Sequence, residues 1–322
     1  VGAGHSNLGF HLVRWGRLDE ALAAFDKAES LDPGVSFPDV GRWGVAILQE
    51  DWAHAGAIAK KLTDASGRFW RLLGFFSLAI NRLYTGEAET AVGSLEKAVA
   101  TYEDPGPTRA FAHSFWATVL LEQGRAAAAL EQARLAQTEG RGSQAEWEGY
   151  FYESLALQQL GRAKEAQAAA TKLAERTASL PTEKEKRRHH HLMGELALAS
   201  GDAARAIDEL TTAQSMLSMR GFDVGFGPPP HVPIWFSLAS AYLATGDGTS
   251  AAQWFEKIAE STDEHVAWPI PYVRSFYFLG KIHETRGDMA TARQYYRRFV
   301  DFWKDGDLDR ERVEEALSKV QR

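Results

Sequence analysis

The sequence predicts an all-α protein: a right-handed superhelical solenoid of about eight helix-turn-helix repeats, closed by a C-terminal capping helix. Three observations predict it. First, a turn signal recurs at Gly16, Asp51, Gly86, Gly124, Gly161, Gly201, Gly246 and Gly287, at spacings of 35 to 45 residues. Glycine fills every anchor but Asp51, as a short interhelical turn with a positive backbone angle favours. Second, two columns hold only small residues. Seven residues before the anchors stand Gly9, Gly44, Ala79, Ala117, Ser154, Gly194, Ala239 and Gly280. Five after them stand Ala21, Gly56, Ala91, Ala129, Ala166, Ala206, Ala251 and Ala292. Small residues let two helices cross at close range. Third, the columns nine and twelve residues after the anchors are mostly apolar or small, with Phe25, Leu95, Leu210, Phe255 and Tyr296 in one and Leu173, Ile258 and Phe299 in the other. A buried helix face needs such a stripe.

The elements follow in order. The first repeat, 2–35, is two helices about the turn Trp15-Gly16-Arg17. The others are placed at 37–70, 72–105, 110–143, 147–180, 187–220, 232–265 and 273–306, with the capping helix at 308–321, all in one array without a domain boundary. The charged stretch PTEKEKRR, 181–188, starts a long first helix in the sixth repeat. The longest interruption is SMRGFDVGFGPPPHVPIW, 218–235, where Pro228 to Pro230 and Pro233 exclude helix interior. It reads as a polyproline-like link with a hinge near 220–232. A shorter link, WPIPY at 268–272, precedes the eighth repeat. In the C-terminal helix Leu308, Val313, Ala316, Leu317 and Val320 share one side, and Asp307 or Asp309 is placed to cap it.

In the first repeat Leu8-Gly9, Gly16, Ala21, Phe25, Ala28 and Pro33, and in the last Leu279-Gly280, Gly287, Ala292 and Tyr296, stand at signature offsets. This pattern resembles the tetratricopeptide repeat, from about residue 2 to about 303. The ending, YYRRFVDFWKDGDLDRERVEEALSKV, resembles the tails of bacterial members, some of them fused to kinases or transcription regulators. The resemblance implies a non-catalytic scaffold that binds protein or peptide in a concave groove lined by the first helix of each repeat. Carried over position by position, it implies Phe10, Val45, Phe76, Ile80, Phe111, Phe151, Leu155, Phe236 and Tyr277 as apolar groove residues. Its polar members are Arg14, Gln49, Arg188, His191, Glu195, Arg274 and Lys281. Phe76 and Phe111 are the expected anchors, since central aromatics dominate interfaces. Members that clamp a terminal carboxylate use Lys and Asn where this chain has Ser6, Phe10 and Val45, so that specificity is not implied. Two alternatives remain open. One is a regulatory segment of a larger signalling protein. The other is a self-assembling filament, built head to tail through Leu8, Leu12 and Trp15 on an uncovered first helix.

Composition narrows the chemistry. A net charge of −7 argues against a nucleic-acid partner, and the absence of Cys excludes thiolate metal sites, disulfides and Cys nucleophiles. No apolar run reaches the roughly 18 residues of a membrane span. The chain begins at Val1, and neither a cytoplasmic nor an exported location is excluded. GFDVGFG, 221–227, is followed by prolines rather than by a helix whose amides would meet a phosphate. Adjacent helical residues point about 100° apart, so His189, His190 and His191 do not converge on one ion. His190 is expected inside the sixth repeat, with the other two partly solvated. Asp305-Gly306-Asp307-Leu308-Asp309 starts like a calcium loop but has Arg310 at the glycine position and Ala316 at the glutamate position. No G-x-S-x-G elbow occurs. The expectation is a protein that is not an enzyme and needs neither cofactor nor metal.

Overall fold

A computed structural model describes residues 2–34, 36–178, 180, 183–217 and 230–321. Among these residues every regular element is helical, in eight hairpins. They pair α1 (Gly2–Arg14) with α2 (Leu18–Leu31), α3 (Phe37–Leu48) with α4 (Trp52–Thr63), α5 (Arg68–Tyr84) with α6 (Ala88–Ala100), and α7 (Pro107–Glu122) with α8 (Ala126–Glu139). The second half pairs α9 (Gln144–Gln159) with α10 (Ala163–Ala178), α11 (Arg187–Ala199) with α12 (Ala203–Ser215), α13 (His231–Ala244) with α14 (Gly248–Ala259), and α15 (Pro269–Thr285) with α16 (Met289–Trp303). Helix α17 (Arg310–Val320) follows, and a 3₁₀ turn at Glu183–Lys186 leads into α11. No helix among the described residues is long and apolar enough to cross a membrane.

Several first helices begin earlier than the sequence pattern places them. Proline is the reason at α7 and α15, where Pro107 and Pro269 occupy the first turn. Its fixed φ suits a helix start, and its missing N–H is not needed there. The same argument corrects the link before the seventh repeat. Pro233 sits in the first turn of α13, which already begins at His231, so Pro233 does not interrupt the helix. The rest of that link, with its hinge, the GFDVGFG stretch, Pro228 and Pro229, lies outside the described residues.

All seven anchor glycines have positive φ, between 71° and 81°, and each directly precedes the N-cap of a second helix. The second repeat departs from the expected register by one residue. Glu50 takes the left-handed conformation, with φ 57°, and Asp51 is the N-cap, accepting the amide of His54 at 3.0 Å. The turn therefore centres on Glu50. Its buried stripe runs through Ala55, Ala59 and Leu62 rather than Gly56 and Lys60, and Trp43 replaces Gly44 in the inner column.

Within a hairpin, the small column of the first helix faces the large column of the second. A Cβ on Gly9 would come within 2.4 Å of the Phe25 ring, one on Gly194 within 2.4 Å of Leu210, and one on Gly280 within 2.7 Å of Tyr296. Where the opposing residue is small, as at Ala170, the column tolerates Ser154, whose hydroxyl donates to the carbonyl of Ala166 at 2.8 Å.

Consecutive first helices pack side by side, and α15 also packs on α5, so the superhelix closes on itself. The Tyr84 hydroxyl donates to the carbonyl of His265 at 2.8 Å, and the Trp303 indole N–H donates to the carbonyl of Leu83 at 3.0 Å. Arg14 pairs with Asp263 at 3.1 Å, and Arg298 pairs with Glu50. Closure fuses the cores of the second, third, seventh and eighth repeats around Trp52, Tyr84, Tyr272, Phe276 and Phe302. Smaller clusters serve the fourth to sixth repeats.

Helix α17 buries Val313 and Ala316 as its pattern requires. Its capping differs from expectation. Asp309 is the N-cap residue, with φ 46°, but makes no cap bond, because its carboxylate is drawn to Arg274 at 2.7 and 3.0 Å. Asp307 caps a different helix, accepting the amides of Ala88 at 2.8 Å and Glu89 at 3.1 Å at the start of α6.

Candidate functional site

The inner faces of α7, α9, α11 and α13, with the start of α15, enclose a cavity of about 470 Å³. Each helix contributes one face at helical spacing: Phe111, Phe115, Thr118 and Glu122 from α7, and Glu148, Phe151, Tyr152 and Leu155 from α9. Arg188, His191 and Glu195 come from α11, Phe236 and Ser237 from α13, and Trp268 and Arg274 from the α15 entry. Of the expected groove residues, the structure thus brings together Phe111, Phe151, Leu155, Phe236, Arg188, His191, Glu195 and Arg274. Phe115, Thr118, Glu122, Glu148 and Tyr152 were not among those expected. Phe115, Glu148 and Tyr152 stand three or four residues from expected ones, one turn along the same helix face, whereas Thr118 and Glu122 continue the α7 face two and three turns beyond Phe111.

The remaining expected groove residues lie elsewhere. Val45 is buried at 1% exposure beneath the first hairpin, beside Leu12 and Phe25. Phe76 and Ile80 are buried in the fused core, where Phe76 meets Phe111 and Phe115 edge-on with ring centroids 5.5 and 5.6 Å away. Neighbouring first helices approach closely at this end and fill the face that was expected to be groove. Phe10 packs on Phe25 and Phe37, Arg14 is paired with Asp263, and Gln49 is exposed at the end of α3. Tyr277 and Lys281 are covered by α17, both bonding Glu315, at 2.6 and 2.7 Å. Of the expected self-association residues, Leu8 and Trp15 are 46% and 68% exposed, whereas Leu12 is a core residue, because the small turn column draws α2 against it.

The charges in the cavity are paired. Arg274 pairs with both Glu122 and Asp309. Burial disfavours its charge, but the two carboxylates outweigh this and raise its pKa above the usual guanidinium value. Arg188 pairs with Glu185 and lies 3.7 Å from Glu148, which also accepts from Gln144 at 2.8 Å. His191 packs tilted against Phe151, with centroids 5.1 Å apart. Its Nε2 lies 3.2 Å from Ser237 Oγ and 3.5 Å from Glu195. Burial pushes the Glu195 carboxyl up, yet hydrogen bonds from His191 and Ser237 leave it below the usual range. Serine, histidine and glutamate meet here, but a hydrolytic relay needs the carboxylate on the ring nitrogen opposite the serine. Both groups meet Nε2 instead, so the trio ties α11 to α13.

The histidine triplet is arranged differently from expectation. His190 bonds Glu209 of α12 at 2.8 Å with about 30% of its side chain exposed, while His191 turns inward to the cavity. Burial and the neighbouring His190 lower the pKa of His189. Among the described residues no group of three His, Cys, Asp or Glu side chains is placed to hold a metal ion.

Family models described as tetratricopeptide repeat match residues 2–27, 191–266 and 273–302. No curated protein matches the chain in sequence. Among solved structures, a Rap protein complexed with competence and sporulation factor is 13% identical, with a TM-score of 0.53 over 100% of this chain and 96% of that one. The human IFIT1 dimer with m7Gppp-AAAA is 14% identical, with a TM-score of 0.54 over 93% of this chain and 68% of that one. A monomeric IFIT1 mutant with Gppp-AAAA is 14% identical, with a TM-score of 0.55 over 99% and 72%. At such identities the likeness is one of fold. With matches in the first, sixth, seventh and eighth hairpins, and eight hairpins stacked in one array, the chain is a tetratricopeptide-repeat protein, built as a protein-interaction scaffold.

Proposed function

We propose that the scaffold binds a short peptide segment of a partner protein in the cavity between α7 and α15. The observation that carries this reading is the wall itself, where Phe111, Phe151 and Phe236 alternate with the paired charges of Arg188, Glu195 and Arg274. Aromatic faces would take the apolar side chains of an extended segment, and polar groups held rigidly by their own partners would fix its backbone. The Rap protein, a likeness in fold, is complexed with competence and sporulation factor. The IFIT1 structures hold m7Gppp-AAAA and Gppp-AAAA, but here the cavity guanidiniums of Arg188 and Arg274, which would meet a phosphate, are already paired with Glu148, Glu185, Glu122 and Asp309. That contrast favours a peptide.

The test is selection of a random heptapeptide phage library on the intact chain. The expected result is an enriched apolar consensus whose capture is lost in Phe151→Ala, while the variant keeps its helical circular dichroism. Phe151 is partly exposed, so its truncation leaves the fold intact. If no consensus emerges, or Phe151→Ala captures the same peptides equally well, the cavity is not the binding site.

A further inference from the structure

Helix α6 supplies no cap of its own. Four second helices open with an aspartate whose carboxylate accepts a first-turn amide: Asp51, Asp202, Asp247 and Asp288. At α6 that position is Glu87, whose carboxylate turns instead to Arg82 at 3.0 Å and Thr85 at 2.7 Å. The acceptor arrives from 219 residues away, when Asp307 takes the amide of Ala88, and it also takes that of Glu89. An anion at a helix N-terminus satisfies two orphan donors and meets the positive end of the helix dipole.

This seating is more than one contact. The amides of Asp307 and Leu308 both donate to the carbonyl of Gly86, at 2.8 and 3.1 Å. Gly306 lies so close to that turn that a Cβ on it would stand 2.5 Å from the Gly86 oxygen. Trp303 is fully buried with its indole N–H on Leu83, and Leu308 is buried beside it. Residues 303–308 therefore dock on the third hairpin as a bound peptide would, through backbone, cap and two apolar side chains. The next residue, Asp309, holds Arg274, which also pairs with Glu122 across the cavity wall. Leu83 and Arg274 both line the cavity.

We propose that residues 303–309 form an intramolecular strap that holds the superhelix closed, and that Arg274 passes the state of the strap to the cavity wall. When the strap is seated, α6 is capped and Arg274 is fixed between two carboxylates. When it lifts, α6 loses its cap and Arg274 keeps one carboxylate, so the wall between α7 and α15 loosens. The geometry stands whether or not the cavity takes a peptide.

The chain contains no cysteine, so two nitroxide labels can be placed without background. Pulsed electron spin resonance on the full chain labelled at Thr90→Cys and Asp305→Cys, both exposed positions, reports the strap; hydrogen exchange reports the segments it holds. The expected result is one narrow distance in the intact strap. Asp307→Ala should lengthen and broaden it and accelerate exchange tenfold or more at 84–91 and 270–280, leaving α9 and α10 unchanged. Asp307→Asn keeps an acceptor oxygen and should fall in between. Gly306→Ala keeps the carboxylate but cannot seat, and should behave as Asp307→Ala does. An unchanged distance and unchanged exchange at 84–91 in Asp307→Ala would mean there is no strap. Faster exchange at 84–91 without any at 270–280 would remove Arg274 from the proposal. Faster exchange everywhere, α9 and α10 included, would make Asp307 a general stability residue and overturn it.

Discussion

The fourth to sixth repeats and the closed end of the molecule use the same hairpin but obtain different cores. In the fourth to sixth, each small cluster joins residues of adjacent hairpins, as in Leu120, Leu130 and Leu157. At the closed end, residues more than 180 positions apart share one core, with Tyr84 bonded to the His265 carbonyl and Trp303 to that of Leu83. A helical array is ordinarily a sum of nearest-neighbour terms. That sum describes the fourth to sixth repeats and fails where the superhelix meets itself. The cavity wall joins the two regions, since Arg274 of the eighth repeat pairs with Glu122 of the fourth, and the strap lies where the superhelix closes.

The largest expected effect breaks or confirms this contrast directly. Trp303→Ala removes a fully buried side chain and should cost about 3–5 kcal/mol in urea unfolding. Hydrogen exchange should rise not only in α15 and α16 but at 84–91 in the third repeat. A loss confined to the last two helices would mean that the closed end is also a nearest-neighbour array. Phe76→Ala should cost a similar amount, since Phe76 belongs to the same core.

The second test uses pH. Burial pushes the His265 imidazole down to about 4. It stacks on Tyr272 with centroids 3.9 Å apart. The unfolded chain takes up a proton below about pH 6.5, and the folded chain resists until about pH 4. This contribution is therefore complete above pH 6.5 and is lost as pH falls to about 4, by up to about 3 kcal/mol. Urea midpoints between pH 7 and pH 4 should show the slope, and His265→Gln should flatten it. An equally steep slope in the variant would place the titrating group elsewhere.

A matched pair sharpens the comparison. A Cβ on Gly194 would meet Leu210 at 2.4 Å, and one on Gly280 would meet Tyr296 at 2.7 Å. Each glycine-to-alanine change should cost about 1–3 kcal/mol through forced repacking. The damage from Gly194→Ala should stay within the fifth to seventh repeats, whereas that from Gly280→Ala should reach the third. Equal spread in exchange maps would erase the difference between the two regions.

The smallest effect is a cap. Asp202 accepts the amide of Arg205 at 3.1 Å on an exposed helix start. Asp202→Ala should lower stability by about 1 kcal/mol, with the change in exchange limited to α11 and α12. A thermal midpoint unchanged from that of the parent chain would show that this cap is dispensable.

The sequence by itself determined the brick and its repetition. Turn glycines need a positive φ, and small columns must face large ones, so both constraints are local and recur in every window. Phe111, Phe151, Phe236, Arg188, His191 and Arg274 were legible for the same reason, because a groove face has a fixed phase on its helix. The one-residue shift at Glu50 was not, because without a glycine nothing in the sequence marks which residue bears the left-handed turn. Tertiary structure alone decided the rest. Small rotations between hairpins accumulate until α15 meets α5, and no single window encodes that sum. The meeting draws Phe76 and Ile80 into a core shared with the seventh and eighth repeats, while the first hairpin covers Val45, α17 covers Tyr277 and Lys281, and among the described residues the stretch from α7 to α15 stays open. It also turns Asp307, read from sequence as a cap for its own helix, into the cap of α6, since a carboxylate serves whichever orphan amides the fold brings within reach.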